Sequence, residues 1–359
     1  MTEFIKGLEL NELFYKEVVK PILESHFLKL KYSAALIGYG SDVLGFDTPI
    51  SMDHEWGPRL LLFLSENDYE KYGQEIDNIL TRKLPYTFKG FSTNFSSKGV
   101  QWQEHIQSGL INHKIWIQTI ASFFALSLDF NPYNNIKVLD WLTFPEQKLL
   151  EITSGRVYYD GLGELNSIRA KFYYYPKDIW LYLLATQWSL IAQEEAFMGR
   201  CGDINDELGA KLIASRIVQK LMKLCFLMER QYTPYSKWFG KAFARLPCAK
   251  QLIPIFDDVL SAHSWKQREK YLSRAYEVVA NMHNTLLLTK PLETNVSNYY
   301  SRPYLVIHAN RFAEAIRNVI NDKVIQDLPV NVGAIDQFIA DVDMLGQPQL
   351  CKKLKVMFT

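Results

Sequence analysis

Gly40-Ser41 and, after a gap of eleven residues, Asp53-His54-Glu55 are the residues whose types and spacing best suit chemistry. Glycine lets the backbone approach a ligand closely, and free N–H groups in such a turn can cradle a phosphate. The Ser41 hydroxyl adds a donor. Asp53 and Glu55 stand two apart, so on a strand both carboxylates point to one face. Two close carboxylates repel unless a cation sits between them. A hard divalent ion with oxygen ligands suits them, and Mg²⁺ is the usual one beside nucleotide phosphates. Asp53 and Glu55 are therefore the candidate metal ligands, and Gly40 and Ser41 the candidate phosphate cradle. Arg59, Arg200 and Lys237 are candidate phosphate contacts, each with an ordinary ion pair or a solvated basic face as the plainer alternative. His54 lies between the acids and is expected to be packed or hydrogen-bonded.

These residues need elements to hold them. The first 30 residues read as helix, with Pro21 kinking or splitting it. Residues 32–40 form a short apolar run ending in glycines, which predicts a strand followed by a tight turn. Residues 52–64 predict a second strand that would carry Asp53 and Glu55. Ser65-Glu-Asn-Asp68 resembles a capping box ahead of a helix. Residues 86–95 and 113–119 predict two further strands. Beyond residue 140 the pattern changes to long amphipathic stretches at 178–196, 206–230, 234–246 and 264–287. The expectation is an α+β chain: a mixed sheet with helices over residues 1–140 and a mostly helical domain over 141–359, with the active site in a cleft between them.

The spacing from Gly40-Ser41 to Asp53-x-Glu55 resembles the signature of the polymerase-β-like nucleotidyltransferase superfamily. The wider chain looks like a bacterial family of uncharacterised nucleotidyltransferase-like proteins, on the stretches 140–147, 199–203 and 229–240. That resemblance implies transfer of a nucleoside monophosphate from an NTP, with ATP the expected one, to a hydroxyl acceptor on a small molecule or a protein, with release of pyrophosphate. It implies that Gly40 and Ser41 hold the phosphates, that Asp53 and Glu55 hold Mg²⁺, and that residues 141–359 bind the acceptor. Many members carry a third carboxylate on a later strand, but residues 113–119 contain none. A base is then expected from the helical half, from Glu194 or Glu195 first and from Asp203, Asp206 or Glu207 next. The missing acid also supports the alternative of a catalytically impaired nucleotide-binding or partner-binding module.

Composition narrows the field. Forty basic residues face thirty-nine acidic ones in 359, so no basic field advertises a nucleic-acid partner. The uncharged apolar runs at 115–128 and 179–192 fall short of the ~20 residues a membrane helix needs. The four cysteines show no metal-ligand spacing and read as reduced thiols of a cytoplasmic protein. The histidines form no zinc set.

Overall fold

The computed structural model describes residues 3–97 and 102–358. The chain divides into two compact units, Met1–Ile136 with Lys148–Tyr173, and Lys137–Gln147 with Tyr174–Thr359. The expected boundary at 140 thus leaves out a later stretch that belongs with the sheet.

The first unit holds a four-stranded mixed sheet in the order β5-β2-β1-β6. The strands are β1 (Tyr32–Leu36), β2 (Arg59–Leu64), β5 (Lys114–Thr119) and β6 (Arg156–Asp160), and the two-residue strands β3 (Thr87–Phe88) and β4 (Phe91–Ser92) pair separately. β1 runs antiparallel to both β2 and β6, while β2 and β5 are parallel, with Arg59 opposite Lys114. β2 reads Arg-Leu-Leu-Leu-Phe-Leu and is buried throughout, as a central strand covered on both faces must be. One face presents Leu60, Leu62 and Leu64, with Ala34 and Ile115, to Leu10, Phe14, Ile76 and Leu80 of the flanking helices. Arg59, Leu61 and Phe63 share the other face, where Phe63 meets Phe123 edge-on at 5.6 Å.

Local signals explain the helix starts. Ser65 accepts the Asp68 N–H at 3.1 Å and caps the helix Glu66–Lys83. The N-terminal segment runs helical from Gly7 to His26 through a single π-helical stretch at Tyr15–Val19, and Pro21 sits at the start of its last part. The predicted strand 86–95 is instead a tight hairpin, because Lys89 and Gly90 both take positive φ and reverse the chain.

Among the described residues of the second unit, the strands are the hairpin of β7 (Ser297–Tyr299) and β8 (Arg302–Val306), and the rest is mostly helical. Its long helices are Lys177–Ala192, Glu207–Met228, Ala249–Ser261 and Trp265–Thr285. Asp206 and Ser264 cap two of them by accepting the N–H groups of Gly209 and Gln267. Lys177–Ala192 is buried almost all round, and its Trp188 stacks on Phe312 at 4.3 Å. No helix among the described residues is long and apolar enough to cross a membrane. The four cysteines are free.

Candidate functional site

β1 ends at Leu36 and the chain enters a turn in which Gly38 and Gly40 take φ of 89° and 130°. The carbonyls of Gly40, Ser41 and Asp42 accept the N–H groups of Leu44, Phe46 and Gly45. The N–H groups of Gly40 and Ser41 and the Ser41 hydroxyl make no hydrogen bond among the described residues. Three donors of one turn are therefore uncommitted, which is the requirement for a phosphate cradle.

Beneath the turn lies an ion pair. Arg59 donates from Nε to Asp42 Oδ2 at 3.2 Å and from Nη2 to Asp42 Oδ1 at 2.5 Å, and also to the Tyr39 carbonyl at 3.0 Å. Both side chains are 2% exposed. A Cβ on residue 40 would stand 2.2 Å from Arg59 Nη2 and 2.4 Å from Asp42 Oδ1. Glycine at 40 is thus required by this pair as well as by its φ. Arg59 is a buried support of the turn, paired with Asp42.

The two acids are placed differently from the strand expectation. β2 begins only at Arg59, after Gly57 and Pro58. Asp53 closes a 3-10 turn, Pro49–Asp53, and Glu55 takes a left-handed φ of 53°. A shared strand face therefore does not align their carboxylates. Asp53 Oδ1 lies 2.8 Å from Nδ1 of His54, whose side chain is half exposed. Glu55 Oε1 lies 3.8 Å from Nζ of Lys114. With its side chain 64% exposed and its one near neighbour the exposed His54 ring, Asp53→Asn is expected to change stability by less than about 0.5 kcal/mol in a denaturant melt.

Lys114 is the residue the sequence did not single out. It opens β5 beside Arg59, its side chain is 3% exposed, and its ammonium makes no hydrogen bond among the described residues. The Nζ lies 5.1 Å from the Phe95 ring centre and 5.8 Å from that of Trp116. Burial pushes its pKa down to about 8, against the opposing pull of Glu55. Tyr39 meets Trp116 edge-on at 6.0 Å and lies under the Arg59 guanidinium at 5.3 Å. A lysine at the start of a half-alternating strand carries no sequence mark of this setting, because the register that sets it opposite Arg59 is long-range.

No group of three His, Cys, Asp or Glu side chains that could hold a metal occurs among the described residues. Asp53 and Glu55 have the right donor chemistry for Mg²⁺. Each carboxylate already faces a cationic or titratable neighbour, however, and a divalent ion at Glu55 would stand against the Lys114 ammonium. As arranged, the donor set does not fit a resident Mg²⁺.

The remaining candidates belong to the second unit. Glu194 accepts from Arg216 Nε at 3.0 Å and Nη2 at 2.6 Å with one oxygen, and from Lys220 Nζ at 2.6 Å with the other. Burial raises its pKa, but Arg216 and Lys220 outweigh burial and hold it below the usual range. Glu195 is buried, and its oxygens accept the N–H groups of Ile307 at 3.1 Å and Ala309 at 3.2 Å and 3.3 Å. Both acids have structural partners on each oxygen, which leaves neither free as a base. Of the reserve candidates, Asp206 caps a helix, Glu207 pairs with Arg268, and Asp203 accepts the Tyr304 hydroxyl. Lys237 lies over the Trp238 ring at 5.0 Å.

A family model described as a domain of unknown function (DUF4037) matches residues 141–239. That span takes in most of the stretches 140–147, 199–203 and 229–240 and supports the likeness to an uncharacterised family. No curated protein matches the chain. A crystal structure of a nucleotidyltransferase-like protein from Exiguobacterium sibiricum 255-15 is similar over 79% of this chain and 82% of that one, at 9% identity and a TM-score of 0.32. A likeness that low fixes neither fold nor activity.

Proposed function

We propose that the chain binds a nucleotide through its phosphates at the turn after β1, as a binding module of nucleotidyltransferase type that does not carry out metal-dependent transfer. The observation that carries this reading is Lys114. Where β5 runs beside β2, it brings an ammonium rather than a carboxylate to within 3.8 Å of Glu55. The uncommitted N–H groups of Gly40 and Ser41 supply the phosphate donors. Tyr39 and Trp116 offer aromatic surface close by. Transfer to a hydroxyl would also need a base, and Glu194 and Glu195 are both engaged.

The second reading is Mg²⁺-dependent transfer of a nucleoside monophosphate from ATP to a hydroxyl acceptor, a small molecule or a protein. It draws on the accessibility of the two acids, whose side chains are 64% and 40% exposed. One experiment separates the two. The melting temperature and the pyrophosphate released are measured for each NTP, with Mg²⁺ and with EDTA. A ligand that binds only the folded state at about 100 times its Kd stabilises it by about 2.7 kcal/mol. The expected result is a clear rise in melting temperature without pyrophosphate. Mg²⁺-dependent pyrophosphate release that disappears in Asp53→Asn would establish the second reading. No shift with any nucleotide would sink both.

A further inference from the structure

The Lys114 ammonium has three donors, no hydrogen-bond acceptor among the described residues and almost no contact with solvent. A buried cation is normally paired and hydrogen-bonded, because leaving water is otherwise costly. Among the described residues the charge is met by two aromatic rings, by Glu55 at 3.8 Å, beyond hydrogen-bond distance, and by the more distant pull of Asp42. Its neighbour Arg59 commits Nε and Nη2 to Asp42 and the Tyr39 carbonyl. Of the two cations behind the turn, Lys114 is the one whose charged group makes no hydrogen bond at all among the described residues. Glu55 is the exposed member of its pair, on a loop residue with left-handed backbone, so it is the member that can move aside.

We infer that Lys114 is a phosphate-binding residue: its ammonium exchanges Glu55 for a phosphate oxygen of a bound nucleotide, and so fills the place of a divalent ion. This rests on the nucleotide-binding reading above and gives that site its principal cation. The ligand class is a nucleoside polyphosphate without bound metal. The exchange also sets an unusual sign for Glu55. In a metal site Glu55 is a ligand, and losing its charge weakens binding. Here Glu55 competes with the phosphate for Lys114, and losing its charge strengthens binding.

The test is calorimetric titration of the full chain with ATP in EDTA, with ATP and Mg²⁺, and with tripolyphosphate in EDTA. The proteins are wild type, Lys114→Met, Lys114→Arg and Glu55→Gln, each checked for a cooperative melt. Expected are similar affinities for ATP with and without Mg²⁺ and a loss of at least about tenfold in Lys114→Met, the scale of one charged hydrogen bond. Lys114→Arg should retain most of the binding, and Glu55→Gln should bind several-fold tighter. Tripolyphosphate binding as tight as ATP would assign the site to polyphosphate generally; weaker binding would show that the nucleoside contributes. Binding that needs Mg²⁺ and is lost in Glu55→Gln would overturn the role of Lys114 while leaving nucleotide binding intact. Absence of any binding to folded wild type would remove the underlying reading as well. If Lys114→Met does not fold, the opposite signs expected for Glu55→Gln still decide the matter.

Discussion

Arg59→Met is expected to destabilise the first unit by about 3–5 kcal/mol, the cost of stranding one member of a buried ion pair. Asp42 would remain 2% exposed with its main partner gone, and the Tyr39 carbonyl would lose its donor. Denaturant midpoints of wild type and variant measure the loss. The double variant Arg59→Met with Asp42→Asn should recover much of it, because replacing both charges removes the uncompensated one. The two changes touch the same contacts, so their effects should be strongly non-additive. A loss under about 1 kcal/mol in the single variant would show that the pair does not hold the turn. Gly40→Ala should mimic Arg59→Met in part, since its Cβ would collide with the same guanidinium.

The second large effect is expected at Glu195. Glu195→Ala removes the acceptor of the Ile307 and Ala309 N–H groups. Each buried donor left unmet costs about 1–3 kcal/mol, so the loss should reach several kcal/mol. Glu195→Gln keeps an acceptor and should be milder, with a distinctive pH dependence. Burial raises the Glu195 pKa from 4.5 to about 7, despite the N–H groups that favour its anion. A group raised on folding contributes stability that is full below pH about 4.5 and is lost as pH climbs through about 7. That range corresponds to ~3 kcal/mol at most. Asp336, raised to about 7 chiefly by burial, acts in the same direction, so the readout is the difference between variant and wild type. Glu195→Gln should gain on wild type as pH rises from about 4.5 to 7. A flat difference would mean that Glu195 is not buried against those amides. Nucleotide affinity should be unchanged in Glu195→Gln, whereas a catalytic acid would lose rate there.

What the sequence made legible was mainly what neighbouring residues decide. The Ser65 cap, the helix behind it and the unbroken apolar run of β2 follow from short-range pattern. The glycine turn after β1 is read from composition, and its two positive φ values follow from the residue type. The sequence places Asp53 and Glu55 on a strand only by their two-residue spacing; both residue types are poor strand formers, and Gly57 and Pro58 mark the true start of β2. β6 leaves no clear strand signal in the sequence, because an edge strand that is half exposed need not alternate cleanly. The roles of Asp42 and Lys114 depend on register and burial. Asp42 meets a residue seventeen positions away, and Lys114 meets Glu55 and Arg59 across a parallel pairing. No local pattern encodes such partners. Glu194 and Glu195 stand side by side in the sequence, and only their surroundings separate a partly buried, ion-paired carboxylate from one buried against backbone N–H groups.

The position of β6 has a consequence for how the chain is made. β1 is flanked by β2, which begins at residue 59, and by β6, which begins at residue 156. At about 5–20 residues per second, a ribosome leaves roughly 5–20 s between the emergence of one flank and the other. Through that interval the Ser33–Leu36 side of β1 has no partner strand, and an open edge is a template for pairing with another chain. Ser33 then gains both a backbone partner and a side-chain bond to Asp160 at 2.7 Å, which closes the edge late. The first unit is thus complete only once residues 148–173 have been synthesised. A fragment cut at residue 140 would keep the turn, Arg59 and Lys114 but expose the edge that β6 covers, and it would be prone to aggregate for that reason alone.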